Sequence, residues 1–116
     1  MTAEELSTLF KALADQTRLR ILALLSRREY CNCEFVSIFG ISQPAISRHI
    51  ARLKEARLIH ERRQGQWIYY SLNTSVWETL PPFAQVVDDL GAHDPLVRQA
   101  HQEVSGCPIP DSDEMG

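Results

Sequence analysis

Ile41-Ser42-Gln43-Pro44-Ala45-Ile46-Ser47-Arg48-His49-Ile50-Ala51-Arg52-Leu53 decides the fold. Ser42 is a good helix N-cap, and Pro44 falls in the first turn, where a missing N–H costs nothing. Ile46, Ile50 and Leu53 lie at i, i+4 and i+7, so they must face a core, which turns Ser47, Arg48, Ala51 and Arg52 outward. Just upstream, residues 33–39 form a short apolar helical pattern with Phe35, Val36 and Phe39, and Gly40 suits the left-handed position that ends a helix. A helix, a glycine turn and a second helix with small or basic residues outward is the helix-turn-helix pattern. Ser47, Arg48 and Arg52 are therefore expected to contact a DNA groove, and Gln43 at the helix start can reach a base edge. His49 lies nearer the inward face, as a packed or phosphate-contacting residue. The bland alternative for all of them is a solvated helix face.

Working outward, residues 58–63 and 66–72 flank Gln64-Gly65, and the second run is rich in β-formers (Trp67, Ile68, Tyr69, Tyr70). That is a hairpin, with the aromatic residues as its packing. Arg62 and Arg63 near its tip are expected to touch phosphates rather than bases. Before the cysteines, residues 4–13 carry Leu6, Leu9, Phe10 and Leu13 at helical spacing. Asp15 caps a second helix to about residue 25, with Leu19, Leu22 and Leu25 as its buried stripe. After the hairpin, Val76, Trp77 and Leu80 start a helical pattern that Pro81-Pro82 interrupts. A helix to about residue 90 is expected to bury Phe83, Val86, Val87 and Leu90, with Gly91 ending it. Asp94-Pro95 opens a last helix with Leu96, Val97, Ala100 and Val104. The expectation is a mainly α fold with a small β-hairpin, a winged helix-turn-helix domain over residues 1–105, followed by a flexible acidic tail over residues 106–116.

A chain of 116 residues with 44% hydrophobic content builds one domain with a thin core, which dimerisation would supplement. The net charge of −3 conceals an asymmetry: residues 43–63 carry a local +4, whereas residues 76–116 carry a local −7. An acidic average thus does not exclude nucleic-acid binding, because the basic footprint is local. The longest apolar stretch, residues 21–25, is far too short to span a bilayer. With an acidic start where a secretory signal would be basic, the expectation is a cytoplasmic protein.

Cys31-Asn32-Cys33 precedes the helix-turn-helix, and Cys107 is the third cysteine. In a cytosolic chain such a cluster points to metal binding or redox sensing rather than a disulfide scaffold. Residues i and i+2 of a regular helix lie about 200° apart, so two thiolates can share one ion only where the backbone is not yet helical. A helix N-terminus is such a place. Its dipole, with Arg27 and Arg28 nearby, is expected to favour the thiolate form. Soft thiolates select thiophilic ions, and structural zinc would need four closed ligands, more than the cysteines of one chain supply. His60, His93 and His101 show no metal spacing and are expected at the surface.

Cys31-Asn32-Cys33-Glu34, residues 42–53 and residues 62–70 together resemble the ArsR/SmtB family, nearest its arsenic-responsive members, and residues 13–22 also fit. The resemblance covers roughly residues 5–90. It implies a homodimer built from the first helix and the helix after the wing, which represses from operator DNA and leaves it when trivalent arsenic or antimony binds the thiolates. No permanently bound cofactor and no membrane are implied. The chain departs from the arsenic-responsive pattern where a third cysteine often stands three residues after the pair; here that residue is Val36. Either Cys107 takes its place or the site has two protein thiolates. The zinc-responsive pattern on the C-terminal helix is not matched by Asp88, Asp89, His93 and His101, whose spacing differs.

Two rivals stand beside this reading. The same scaffold can carry a thiol-based redox or persulfide sensor, or the cysteines can be inert. An enzyme is disfavoured, because no Cys-x-x-Cys lies near a βαβ pattern and no acid–base constellation flanks the thiols.

Overall fold

The computed structural model describes residues 1–103; Cys107 and the tail expected over 106–116 lie outside the described residues. Helix α1 (Ala3–Leu13) starts at a capping box, in which Thr2 Oγ1 accepts the Glu5 N–H at 3.1 Å and Glu5 Oε1 accepts the Thr2 N–H at 2.9 Å. Asp15 caps α2 (Gln16–Leu25), the central helix, whose residues Ile21 to Leu25 are all buried. Next come α3 (Asn32–Phe39) and α4 (Gln43–Glu55), joined through Gly40 in the left-handed conformation at φ 66°. Ser42 caps α4 as expected, and Ile46, Ile50 and Leu53 are buried while Ser47, Arg48, Ala51 and Arg52 are exposed. The helix-turn-helix is therefore present as the sequence reads.

The hairpin is β2 (Ile59–Gln64) and β3 (Trp67–Leu72), with Gly65 at φ 61° in its turn. A third strand, β1 (Tyr30–Cys31), pairs antiparallel with β3 and gives the sheet order β1-β3-β2. Sequence reading missed it, because two residues cannot show an alternating pattern and their partner lies about 40 positions away. Phe35 locks the sheet to α3. It is fully buried, stacked on Tyr30 and Tyr70 with centroids 5.6 and 6.3 Å away.

Beyond the sheet, α5 (Thr74–Trp77) buries Trp77 against Phe83, and the Trp77 indole N–H donates to the Leu58 carbonyl at 3.3 Å. Helices α6 (Pro81–His93) and α7 (Pro95–Gln102) pack on α2. Asp94 caps α7 and also accepts Arg20 Nε at 3.1 Å, tying α7 to α2.

Two expectations fail in this region. Gly91 does not end α6, which continues to His93; instead it is buried where α7 crosses, and a Cβ there would sit 3.1 Å from the His101 ring. The glycine allows close helix approach rather than termination. Val86 is 60% exposed instead of buried, and with Leu6 and Phe10 it leaves apolar side chains of α1 and α6 open in the single chain.

His101 is also not the surface residue expected: both ring nitrogens are buried without a hydrogen-bond partner among the described residues. Burial, reinforced by Arg27 and Arg28, pushes its imidazole below the ordinary value, with the nearby Ala23 backbone and then Asp88 opposing. The native state thus resists protonation more than the unfolded chain does, whose histidine titrates near about pH 6.5. The stability is intact above that value and lost as pH falls through the lower folded-state value. Urea unfolding at pH 7.5 and 5.5 should show a lower midpoint at pH 5.5, and His101→Phe should flatten the difference.

Candidate thiol site and nucleic-acid interface

The thiol pair sits where strand becomes helix. Cys31 is the last residue of β1 and the N-cap of α3; Cys33 is in the first turn. Because the backbone changes from extended to helical between them, the sulfurs come to 3.1 Å instead of diverging. That is beyond the roughly 2.05 Å of a disulfide between them and within the roughly 3.7 Å that separates two sulfurs on one tetrahedral zinc with bonds of about 2.3 Å. Cys31 is buried and Cys33 half-buried.

Glu34 builds the floor of this site. Its carboxylate is 4% exposed, accepts the Cys31 N–H at 2.8 Å and accepts Arg28 Nη2 at 3.0 Å. The Arg28 guanidinium also lies 3.7 Å from the centre of the Tyr30 ring. Arg28 is thus committed to Glu34 and Tyr30. The Cys31 thiol is correspondingly not the lowered one the sequence suggests: burial pushes it up, and Glu34 adds to the rise. Backbone amides of Cys33, Glu34 and Ile68 around the sulfur oppose that rise without reversing it. The pull of the helix dipole is outweighed by the desolvation of a residue held in a sheet. Glu34 was missed from sequence, since its neighbour Cys31 gave no hint of being a strand residue.

Among the described residues no group of three or more His, Cys, Asp or Glu side chains could hold a metal ion. The pair offers two sulfurs, and Cys107, the third expected ligand, lies outside the described residues.

The second candidate surface is the outer face of α4. Gln43, Ser47, Arg48 and Arg52 are exposed on it, and His49 is half-buried at its edge. A shallow depression of about 420 Å³ is lined by Arg18, Arg48, His49 and Arg52 together with Glu55, which pairs with Arg52 at 3.5 Å, so three arginines face one carboxylate there. Arg18 was not singled out from sequence. It donates from Nε to the Ala12 carbonyl at 2.7 Å, from Nη2 to the Lys11 carbonyl at 3.2 Å and from Nη1 to His49 Nδ1 at 3.2 Å, so it joins the end of α1 to α4. His49 Nδ1 also lies 3.7 Å from an Asp15 carboxylate oxygen, so the cap of α2 meets the same ring.

Arg62 and Arg63 are both exposed on β2. Arg62 is held: Nε and Nη2 donate to the two Glu29 oxygens at 3.1 and 2.8 Å, Nη1 donates to Gln64 at 2.7 Å, and the group lies 4.8 Å from the Tyr69 ring centre. That contact keeps the Glu29 carboxyl below its ordinary value. No helix among the described residues is long and apolar enough to cross a membrane.

Comparison with known proteins matches this arrangement to DNA-binding regulators. The sequence pattern described as "Bacterial regulatory protein, arsR family" matches residues 15–61, which hold the helix-turn-helix and the thiol pair. The arsenic resistance transcriptional regulator ArsR1 of Pseudomonas putida is 50% identical over 68 residues, covering 58% of this chain and 53% of the relative. The arsenical resistance operon repressor of Staphylococcus aureus is 39% identical over 69% of this chain and 77% of its own length. The chain spans about half the length of several curated relatives it matches. Among solved structures, a homodimeric winged helix-turn-helix DNA-binding domain from Mycobacterium bovis superposes with a TM-score of 0.64 at 29% identity, covering 78% of this chain and 83% of that one.

Proposed function

Because this chain belongs to the arsR family of bacterial regulatory proteins, we propose that it is a homodimeric repressor released from operator DNA by trivalent arsenic or antimony. The family acts on transcription through DNA and is not a family of enzymes. One observation carries the choice of inducer: two sulfurs 3.1 Å apart at the start of the helix that supports the recognition helix.

Cys31 and Cys33 hold the ion as thiolates, and Cys107 is the natural third sulfur for an ion that prefers three in a pyramid. Each As–S bond that forms would replace an As–OH bond of the trivalent hydroxide, the thiol proton leaving with that hydroxide as water. Soft ligands, with no carboxylate–histidine set beside them among the described residues, disfavour hard cations. In the operator complex α4 enters the major groove, with Gln43, Ser47, Arg48 and Arg52 toward it, His49 at a phosphate and Arg62 and Arg63 at the flanking backbone. The open apolar residues Leu6 and Phe10 on α1 and Val86 on α6 support a dimer made through those two helices. Such a regulator works in the cytoplasm, where the DNA is.

Coupling follows from position. Drawing both sulfurs onto one ion changes the strand-to-helix junction, and α3 packs directly on α4. An allosteric coupling of about 1–3 kcal/mol shifts operator affinity about 5- to 150-fold.

Fluorescence-anisotropy titration of the promoter DNA upstream of the chain's own gene tests the reading. Low micromolar arsenite should release the DNA, while zinc and a mild oxidant should not. Release by oxidant alone would assign the thiols to redox or persulfide sensing on the same scaffold.

A further inference from the structure

The strand row that begins at the thiols ends at the wing. Cys31 pairs with Tyr69, and Tyr69 pairs with Arg62, so the three residues stand side by side across β1, β3 and β2. At ordinary strand spacing the row is about 10 Å long. Three contacts stitch it together. The Ile68 backbone N–H lies against the Cys31 sulfur, and the Arg62 guanidinium lies over the Tyr69 ring. Arg62 also grips both oxygens of Glu29, which stands two residues before Cys31 on the approach to β1. The wing arginine is therefore aimed back at the thiol strand.

We infer that Glu29 is a gate on the wing: its carboxylate competes with an operator phosphate for the Arg62 fork, and the position of the thiol strand sets that competition. The inference rests on the reading of the thiols as inducer ligands. A guanidinium fork fits a carboxylate and a phosphate in the same bidentate way, so one partner can replace the other without refolding the wing. Both side chains are about half exposed, at 49% and 41%, so the pair is screened and the exchange is cheap. In the operator complex Arg62 turns to phosphate. When Cys31 is drawn onto an ion, β1 and its partner Tyr69 shift, Glu29 moves with them, and Arg62 is returned to the carboxylate. Glu29 and Tyr69 are positioning residues in this scheme, and Arg62 is the contact.

The test is a double-mutant cycle on the full chain, read by anisotropy on the same promoter DNA with and without arsenite. Glu29→Gln keeps the shape and removes the charge. Without arsenite it should bind about two- to five-fold more tightly, the range of an exposed ion pair. Its arsenite-induced loss of affinity should shrink by a similar factor. On an Arg62→Ala background the Glu29→Gln gain should vanish. A gain that persists without Arg62 would mean only a carboxylate repelling DNA from a distance, and would overturn the gate; so would unchanged affinity in Glu29→Gln. If the unmutated protein ignores arsenite, the inducer assignment fails and the thiol half of this inference with it. If it responds and Glu29→Gln responds equally, the inducer assignment stands and the gate alone is wrong.

Discussion

Replacing Cys31 or Cys33 by serine is expected to abolish release by arsenite while leaving operator binding within about two-fold of the unmutated protein, because neither cysteine lines the depression on the outer face of α4. Serine is nearly isosteric, but its hydroxyl stays protonated and is a hard donor, so the remaining sulfur cannot hold a soft ion with it. The loss should equal the whole coupling, about 5- to 150-fold in the ratio of affinities with and without inducer. The two variants should differ in stability. Cys31 is 1% exposed, so a hydroxyl there is desolvated in the sheet, whereas Cys33 is partly exposed and tolerates the change. Cys33→Ser is therefore the cleaner variant. Anisotropy in 10 μM arsenite beside urea denaturation separates the effects; a Cys33→Ser protein that is still released normally would sink the assignment of the pair.

Phe35→Ala should be the most damaging substitution in the domain. The ring is fully buried, and it contacts Tyr30 on β1, Tyr70 on β3 and Phe39 one turn along α3. Deleting a buried phenylalanine costs about 3–5 kcal/mol through lost transfer energy and the cavity left behind. Against a typical total of about 5–15 kcal/mol this removes a large share of stability. Urea unfolding should show the midpoint falling with the slope nearly unchanged. Phe35→Leu, which fills part of the cavity, should recover about half of the loss. An unchanged midpoint in Phe35→Ala would mean that α3 is not fastened to the sheet through this ring.

The recognition half of the molecule was legible because its signals are local. Ser42, Pro44 and the Ile46–Ile50–Leu53 stripe lie within a dozen residues, and each acts through its near neighbours. The hairpin shares that property, with Gly65 just before a run of β-formers. What escaped was made by distant partners. Tyr30 and Cys31 become a strand only because Tyr69 and Tyr70 arrive beside them. The same event buries Cys31 and reverses the expected direction of its acidity. Gly91 reads as a helix end, and only the crossing of His101 shows that it is a point of close approach. Val86 fits a helical stripe, yet the stripe is wider than one chain can cover. Arg18 looks like one more surface base until its three bonds to two other helices are seen.

The junction at Cys31 also limits how the thiol pair can be re-spaced. An added residue between the cysteines would place the second thiol where Glu34 now stands, about 100° further around the helix. That position points into the floor of the site, where a buried carboxylate is already bonded to Cys31 and Arg28. The one-residue gap is thus a gauge imposed by the backbone rather than a choice made for the ion. Any further donor to the pair is therefore more readily recruited from elsewhere in the chain than by re-spacing the two cysteines.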